Sequence, residues 1–325
     1  MRKMSLEMAQ EITAVGMEDK DNVELMGYLV WYSIGLKLID RKVLESHVRV
    51  SGIDDDLLPG PIRIPDAFRR STKAIESKQA AEDGKRSERI LVREILNDSE
   101  RIVRSIVREV IDPQQDEKLQ YNTNEAVITF ERDIRLLHSD IINPDIEPLV
   151  ERVQELFVQY QTTHDDSAVR HMCISSIKNM SPVMVKTSGG VYFIPIKHEE
   201  ALRAFVRFVN LLECSSAYMI PLIKTKDTMD LVRTATVSQL NTALTNLREA
   251  YANRENLTPS EISSIVNETN LSFDVIQDYQ GLLTSDLQEM NSSITDMKRM
   301  LHAVSSLKTK RKPRSRGTRQ LSLFD

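Results

Sequence analysis

Apolar positions near the start of the chain recur at intervals close to 3.6, which is the period of an amphipathic helix. The clearest stripe has tyrosine and tryptophan residues between its members, and it consists of Leu25, Met26, Leu29, Val30 and Ile34. A second amphipathic stretch follows Asp40 and stops at Ser51-Gly52. We therefore predict a helical N-terminal region over residues 1–85.

Three prolines between Leu58 and Pro65 exclude a helix there, because proline removes a backbone donor and fixes φ. Asp66 then starts a predicted short helix that carries Arg69, Arg70 and Lys73. Two helices joined in this way could form a helix-turn-helix that presents its second helix to DNA. The alternative is a solvated charged face, and the link is longer than the usual turn of such motifs.

Residues 86–225 alternate between extended and helical patterns. Hairpins are predicted around the turn residues 97–100, 122–124 and 187–190, because Ile- and Val-rich or aromatic runs flank them. Helices are predicted at about 146–161, 167–178 and 199–212, and a strand at 217–223. The fold class is therefore α+β, with largely antiparallel pairing in this central domain.

Long helices are predicted over residues 226–307. One carries a seam from Val237 to Tyr251, and Thr258-Pro-Ser-Glu261 begins another as a capping box. We expect the second helix to continue through a heptad seam from Leu283 to Val304. This seam would bury against the Val237–Tyr251 helix in a hairpin, or against a second copy or a partner helix, and the pattern leaves these possibilities open.

Composition describes a soluble, folded protein: 41% of the 325 residues are hydrophobic, 28% are charged, and the net charge is −5. Seven of the 43 basic residues and one of the 48 acidic residues lie in 308–325, which leaves an acidic body with 36 basic and 47 acidic residues. The basic residues of this tail are Lys308, Lys310, Arg311, Lys312, Arg314, Arg316 and Arg319. Because residues 308–319 contain no large apolar side chain, we expect this tail to be disordered. We also expect its basic side chains to contact DNA phosphates. A solubilising linker and a nuclear-localisation signal are the alternatives.

Other classes of protein and site find little support in the sequence. Two cysteines without a Cys-x-x-Cys pair fit a reducing cytoplasm, and the apolar run Leu25–Gly35 is too short to cross a bilayer. The sequence contains no phosphate-binding glycine loop. The spacing of a metal site is also absent from the three candidate groups, which are His171 with Cys173, His138 with Asp140, and the acidic run 54–56. We therefore expect no catalytic residue, no metal, no cofactor and no membrane span, although a dispersed nuclease-like acidic site stays open.

The last residues of the chain carry a recognisable peptide. Gln320-Leu321-Ser322-Leu323-Phe324 resembles, at all five positions, the clamp-binding peptide of bacterial replication and repair proteins, whose consensus is Gln-Leu, Ser or Asp, then Leu-Phe. The resemblance implies docking in a hydrophobic cleft on each subunit of the bacterial β sliding clamp. Gln320 would be the polar anchor, Leu321 would enter one part of the cleft, and Leu323 with Phe324 would fill the deeper part.

Three stretches of the body, residues 28–33, 61–70 and 189–195, are similar to a family of uncharacterised bacterial and bacteriophage proteins. Together the two resemblances imply a bacterial or phage accessory protein of DNA replication or repair, cytoplasmic and associated with the nucleoid, that the clamp recruits. A nuclease-like enzyme delivered by the same peptide, a coiled-coil assembly protein and a modulator of host replication are the alternatives. The resemblances supply no catalytic residue.

Overall fold

A computed structural model describes residues 24–80, 87–112, 117–186, 189–283, 286, 288 and 291–310. The described chain mixes helices with antiparallel sheets, which confirms the predicted α+β class. It divides into two compact units. Unit 1 comprises residues 1–34, 51–54 and 173–325, and unit 2 comprises residues 35–50 and 55–172.

The sheet of unit 1 has four antiparallel strands in the order β11-β1-β10-β9. The strands are β1 Leu25–Ser33, β9 Val183–Met184, β10 Tyr192–Pro195 and β11 Ser216–Ile223. The predicted hairpin around residues 187–190 is confirmed by the pairing of β9 with β10. The predicted strand at 217–223 is confirmed as β11.

The predicted helix at Leu25–Ile34 is wrong, because these residues form β1. Its aromatic and β-branched side chains suit a pleated, buried surface, and Tyr28 and Val30 are buried at a spacing of two. Gly27 lets β10 approach closely, since a Cβ built there would lie 2.2 Å from the carbonyl oxygen of Ile194. A short apolar run with mixed periodicity does not distinguish strand from helix, and the central place of β1 in the sheet decides the matter.

Among the residues that the structure describes, unit 1 also contains the helices α5 Glu199–Leu211, α6 Lys226–Ala252, α7 Pro259–Asp278 and α8 Asn291–Lys310. The capping box at Thr258 is confirmed, with the Thr258 hydroxyl accepting from the Glu261 amide and the Glu261 carboxylate accepting from the Thr258 amide. The expected continuous helix through Leu283 is wrong, because α7 ends at Asp278. Tyr279 is buried there, and its hydroxyl donates to the carbonyl oxygen of Ser181 at 2.9 Å.

Of the described residues of the predicted Leu283–Val304 seam, Leu283, Met297 and Val304 are buried inside unit 1, whereas Ile294 and Leu301 are half-buried. Met297 and Met300 pack with Leu244 and Leu247 of α6 and with Ile265 of α7, among others. The intramolecular alternative is thus the arrangement that these side chains adopt. Leu287 and Met290 lie outside the described residues, and self-association through the seam stays a hypothesis.

Unit 2 contains a five-stranded antiparallel sheet in the order β3-β4-β5-β6-β7 and a two-stranded ribbon of β2 with β8. The strands are β2 Leu38–Asp40, β3 Ser77–Ala80, β4 Ser87–Asn97, β5 Arg101–Asp112, β6 Glu117–Glu131, β7 Leu136–Ile141 and β8 Thr163–Asp165. The turn at 97–100 is confirmed between β4 and β5. The predicted hairpin at 122–124 is wrong, because β6 runs through it as one strand whose register against β5 shifts there.

The other helices of the described residues are α1 Arg41–Ser51, α2 Ile64–Lys73, α3 Glu147–Tyr160 and α4 Asp166–Lys178, and residues 173–178 of α4 belong to unit 1. The core of unit 2 forms where α2 and α3 cover the five-stranded sheet. Phe68 of α2 stacks on Phe130 of β6 with ring centroids 5.6 Å apart, and Phe157 of α3 meets both rings edge-on. This aromatic cluster fixes which face of α2 points inward.

Candidate functional site

The short helix that carries the predicted DNA-facing cations is α2. Its first predicted contact, Arg69, lies between two carboxylates of unit 2: Nη1 is 3.0 Å from Oδ1 of Asp66, and Nε is 3.5 Å from Oε2 of Glu94. Arg104 donates through Nη1 to the carbonyl oxygen of Arg69 at 3.2 Å and to the hydroxyl of Thr72 at 2.6 Å. Because the carboxylates of Asp66 and Glu94 lie beside its guanidinium group, the charge of Arg69 is balanced within unit 2.

Arg70 is held by three contacts in unit 2. Nε lies 3.3 Å from Oδ2 of Asp165, Nη1 donates to the carbonyl oxygen of Thr163 at 3.0 Å, and the guanidinium carbon lies 4.4 Å from the ring centroid of Tyr160. Lys73, at the end of the same helix, is exposed. Of the three predicted DNA contacts, two are occupied in fastening α2 to its own unit. The geometry gives DNA reading by this helix little support.

His164 is a buried residue that the sequence did not single out. Its Nε2 lies 3.3 Å from Nη1 of Arg41, which also donates to the carbonyl oxygens of Pro59 and Gly60 at 3.1 and 2.9 Å. Burial lowers the pKa of His164, and the charges of Arg41 and Arg70 lower it further. The neutral ring accepts from Arg41, so this network fastens the proline-rich link to the ribbon of β2 and β8.

The other sequence candidates are dispersed. His171 is exposed while Cys173 is fully buried, so the two side chains of α4 cannot act on one ion. Asp54, Asp55 and Asp56 are exposed. Among the residues that the structure describes, no group of three or more His, Cys, Asp or Glu side chains could hold a metal. Within the same residues, no helix is long and apolar enough to span a membrane.

A charged cluster in unit 1 surrounds the start of α5. Glu199 accepts from Nε of Arg203 at 2.8 Å, and this bond holds the pKa of the Glu199 carboxyl below its usual value. Lys197 and His198 both bind Asp278 at the end of α7, His198 at 3.1 Å. Burial opposes ionisation of Asp278, but hydrogen bonds from Lys197, Ser181 and His198 outweigh it and lower the pKa. The cluster therefore ties α5 to α7.

Unit 1 also contains a large apolar groove, which we call the α6–α7 groove. Its cavity volume is about 710 Å³, and residues of α6, α7, α4, β9 and β10 line it. One side follows α6 from Leu231 to Leu247, and the other follows α7 from Ile265 to Val275. This volume is in the range of ligand-binding clefts.

Small side chains along α6 create the space in this groove. Ala235, Ser238, Thr242 and Ala243 lie on one side of the helix at spacings of three, four and one. They are too short to fill the volume between α6 and α7. The groove was not predicted from the sequence, because the larger residues of the neighbouring seam dominate the pattern over the stripe of small residues beside them.

The C-terminal site falls mostly outside the described residues. Lys308 and Lys310 belong to the last turn of α8, so the helix continues three residues into the predicted disordered tail. Arg311, Lys312, Arg314, Arg316 and Arg319, together with the clamp-type peptide Gln320–Phe324, lie outside the part of the chain that the structure describes.

A protein-family model matches most of the chain. A model described as a family of unknown function, DUF6744, matches residues 25–313, from the first residue of β1 to just beyond α8. No curated protein matches the chain, and no solved structure matches it. The family match covers the body and ends before the peptide at residues 320–324.

Proposed function

This chain belongs to the DUF6744 family of unknown function, and we propose that it is a bacterial or phage accessory protein of DNA replication or repair that the β sliding clamp recruits. The single observation behind the proposal is the five-position match of Gln320–Phe324 to the clamp-binding consensus. Such a protein works in the bacterial cytoplasm or an infected cell, close to the nucleoid. The peptide indicates the clamp as the partner, and the folded body is the part of the protein that the clamp would recruit.

The residue types suit an apolar cleft. Leu and Phe side chains each contribute about 1.5–3 kcal/mol when they are fully buried, so Leu321, Leu323 and Phe324 provide enough gross free energy for specific binding. Ordering a peptide costs part of this gain. A dissociation constant in the micromolar range, about −8 kcal/mol, is the expected balance.

The basic residues before the peptide suit a partner that encircles DNA. Five of them lie between Arg311 and Arg319, within nine residues of Gln320. A peptide held on the clamp would keep these cations near DNA phosphates, where each contact releases counterions and adds affinity that falls with salt. We propose that the tail strengthens binding to clamp that is loaded on DNA.

The test is retention of the purified full chain by immobilised clamp. Replacing both Leu323 and Phe324 by Ala removes the two deepest anchors and should reduce retention to background. Ser322→Asp is the matched control, because the consensus accepts Ser or Asp at that position, and it should bind like the wild type. Equal retention of the wild type and the double variant would overturn the proposal.

A second measurement separates the peptide from the tail. Replacing Arg311, Lys312 and Arg314 by Gln should leave binding to free clamp unchanged within about twofold. On clamp loaded on DNA, the same variant should have a shallower dependence of affinity on salt, by about one unit of slope for each phosphate contact that is lost. An identical slope would show that the tail is only a tether.

A further inference from the structure

The five-stranded sheet of unit 2 ends at β7 in an edge that can accept a further strand. No described strand pairs with the side of β7 that faces away from β6. The amide of Ile142 donates to the carbonyl oxygen of Glu125 at 3.0 Å, which places residue 142 among those that bond to β6. Because the direction alternates along an antiparallel strand, the backbone groups of Leu137, Ser139 and Ile141 point away from the sheet. These groups form a template for another strand.

Two other edges of the described sheets carry protection that β7 does not have. The side chain of Asn210 binds both the amide and the carbonyl oxygen of Ala217 in β11, at 2.9 and 3.3 Å, and Pro221 of the same strand has no amide hydrogen. The side chain of Gln239 accepts from the amide of Met184 in β9 at 3.2 Å. By contrast, β7 contains neither proline nor lysine, and no described side chain caps its outer edge. An open edge is therefore not a general property of this chain.

The side chains of β7 and the residue after it are apolar on both faces of the sheet. Leu136 and Ile142 lie on the face away from α2 and α3, and their exposed fractions are 54 and 57%. Ile141, which is 38% exposed, lies on the helix-covered face, as does the half-buried Leu137 that packs against the core of unit 2. A further strand would bury both apolar pairs.

A second copy of β7 fits this edge when the two strands pair antiparallel about a two-fold axis at Ser139. Leu136 of one copy then lies opposite Ile142 of the other, on the face away from the helices. On the helix-covered face Leu137 lies opposite Ile141, so the core of unit 2 continues into the second copy. The backbone groups of residues 137, 139 and 141 meet in this register, which gives about six main-chain hydrogen bonds.

Polar side chains select this register from the others that a two-fold axis allows. His138 and Asp140 are exposed on the face that carries Leu136, and an axis at Ser139 places each opposite the other residue type of the second copy. An axis at His138 would place Asp140 opposite Leu136, and an axis at Asp140 would place two carboxylates together. An axis at Leu137 would place His138 opposite Leu136. Of these registers, the one centred on Ser139 pairs apolar with apolar and acidic with basic side chains.

We propose that two copies of this chain pair through β7 to form a symmetric dimer, in which the five-stranded sheets of unit 2 join into one continuous sheet. The interface is isologous, because the same strand contributes both sides. The two-fold axis is perpendicular to the sheet, so α2 and α3 of both copies cover the same side. The proposal depends neither on the clamp peptide nor on the Leu283–Val304 seam, because every residue that carries it belongs to unit 2.

Sedimentation equilibrium of the full chain tests this association. The wild type at micromolar concentration should have twice the chain mass of 37.2 kDa. Leu136→Asp places a carboxylate opposite Ile142 and should weaken the dimer by about a hundredfold, because each dimer loses two buried apolar contacts. Ile95→Asp is the matched control, since Ile95 is a strand residue of unit 2 with 59% exposure outside β7, and this variant should stay dimeric. A monomeric wild type would overturn the proposal. A dimer that persists unchanged in Leu136→Asp would also overturn it and would indicate the Leu283–Val304 seam instead.

A pair of charge variants tests the register itself. In a homodimer His138→Asp sets carboxylate against carboxylate, and Asp140→Lys sets ammonium against imidazole, so each variant alone should dimerise about tenfold more weakly. An equimolar mixture should form a heterodimer, because the new carboxylate of one variant then lies opposite the new ammonium of the other. An effect confined to one chain cannot produce this recovery. A mixture that associates no better than the separate variants would overturn the register centred on Ser139.

Discussion

Replacing Arg70 by Ala separates a structural role of α2 from a DNA-reading role. In the structure the side chain makes a charged hydrogen bond to the Thr163 carbonyl, a partly exposed ion pair with Asp165 and a cation–π contact with Tyr160. Its side chain is 27% exposed, so these contacts are only partly screened by solvent. We therefore expect Arg70→Ala to destabilise unit 2 and to leave affinity for DNA unchanged.

The magnitude follows from the three contacts at Arg70. A hydrogen bond from a charged group contributes about 1.5–3 kcal/mol, an exposed cation–π contact about 0.5–1 kcal/mol, and an exposed ion pair about 0–1 kcal/mol. Freeing a long side chain returns up to about 2 kcal/mol of conformational entropy. The expected loss in the free energy of unfolding is about 2 kcal/mol. Arg70→Lys should lose a smaller share, because the ammonium keeps the charge without the planar fork.

Urea unfolding followed by circular dichroism, with hydrogen exchange at β8 to localise the change, measures this loss. Lys73→Ala is the matched control on the same helix. Because Lys73 is exposed, the free energy of unfolding of this variant should stay within about 0.5 kcal/mol of the wild-type value. Fluorescence anisotropy with a labelled duplex gives the DNA affinity of each variant. Wild-type stability in Arg70→Ala, together with a loss of DNA affinity shared by Lys73→Ala, would refute the structural reasoning.

Two further changes test the fold. Gly27→Ala should destabilise unit 1 by about 1–3 kcal/mol, because the new Cβ would lie 2.2 Å from the carbonyl oxygen of Ile194. Gly60→Ala should be nearly neutral in thermal unfolding, because a Cβ at Gly60 would have no atom within 4 Å. Stability should also fall as pH decreases below about 6.5 and level off below the lowered pKa of His164, because the unfolded state binds the proton first. His164→Gln should flatten this part of the pH profile of stability. An unchanged profile would contradict the assignment of this pH dependence to His164.

Local signals in the sequence predicted elements whose residues have one dominant preference. The capping box at Thr258 and the turn at residues 97–100 were predicted correctly, because side-chain and backbone chemistry within a few residues determines them. The helices α3, α4 and α5 were predicted within one or two residues, and the apolar period is clear in α3 and α5 but weak in α4.

Tertiary contacts determine the elements for which the local sequence pattern gave a wrong prediction. β1 is a strand because β10 and β11 flank it on both edges, which no local pattern in Leu25–Ser33 reveals. The heptad spacing continues past Asp278, but α7 ends there, and the next residue, Tyr279, is buried with its hydroxyl donating to the carbonyl oxygen of Ser181. The α6–α7 groove arises from small residues on two helices that meet only in the folded unit, so a linear search for motifs could not find it.

The central claim is that Gln320–Phe324 binds the β sliding clamp, and calorimetric titration of purified clamp with the full chain tests it most directly. We predict a dissociation constant in the micromolar range, with one chain bound per clamp subunit. Leu323→Ala with Phe324→Ala should weaken binding by at least about 3 kcal/mol, roughly a hundredfold or more. Absence of binding by the wild type, or equal affinity of the double variant, would contradict the account.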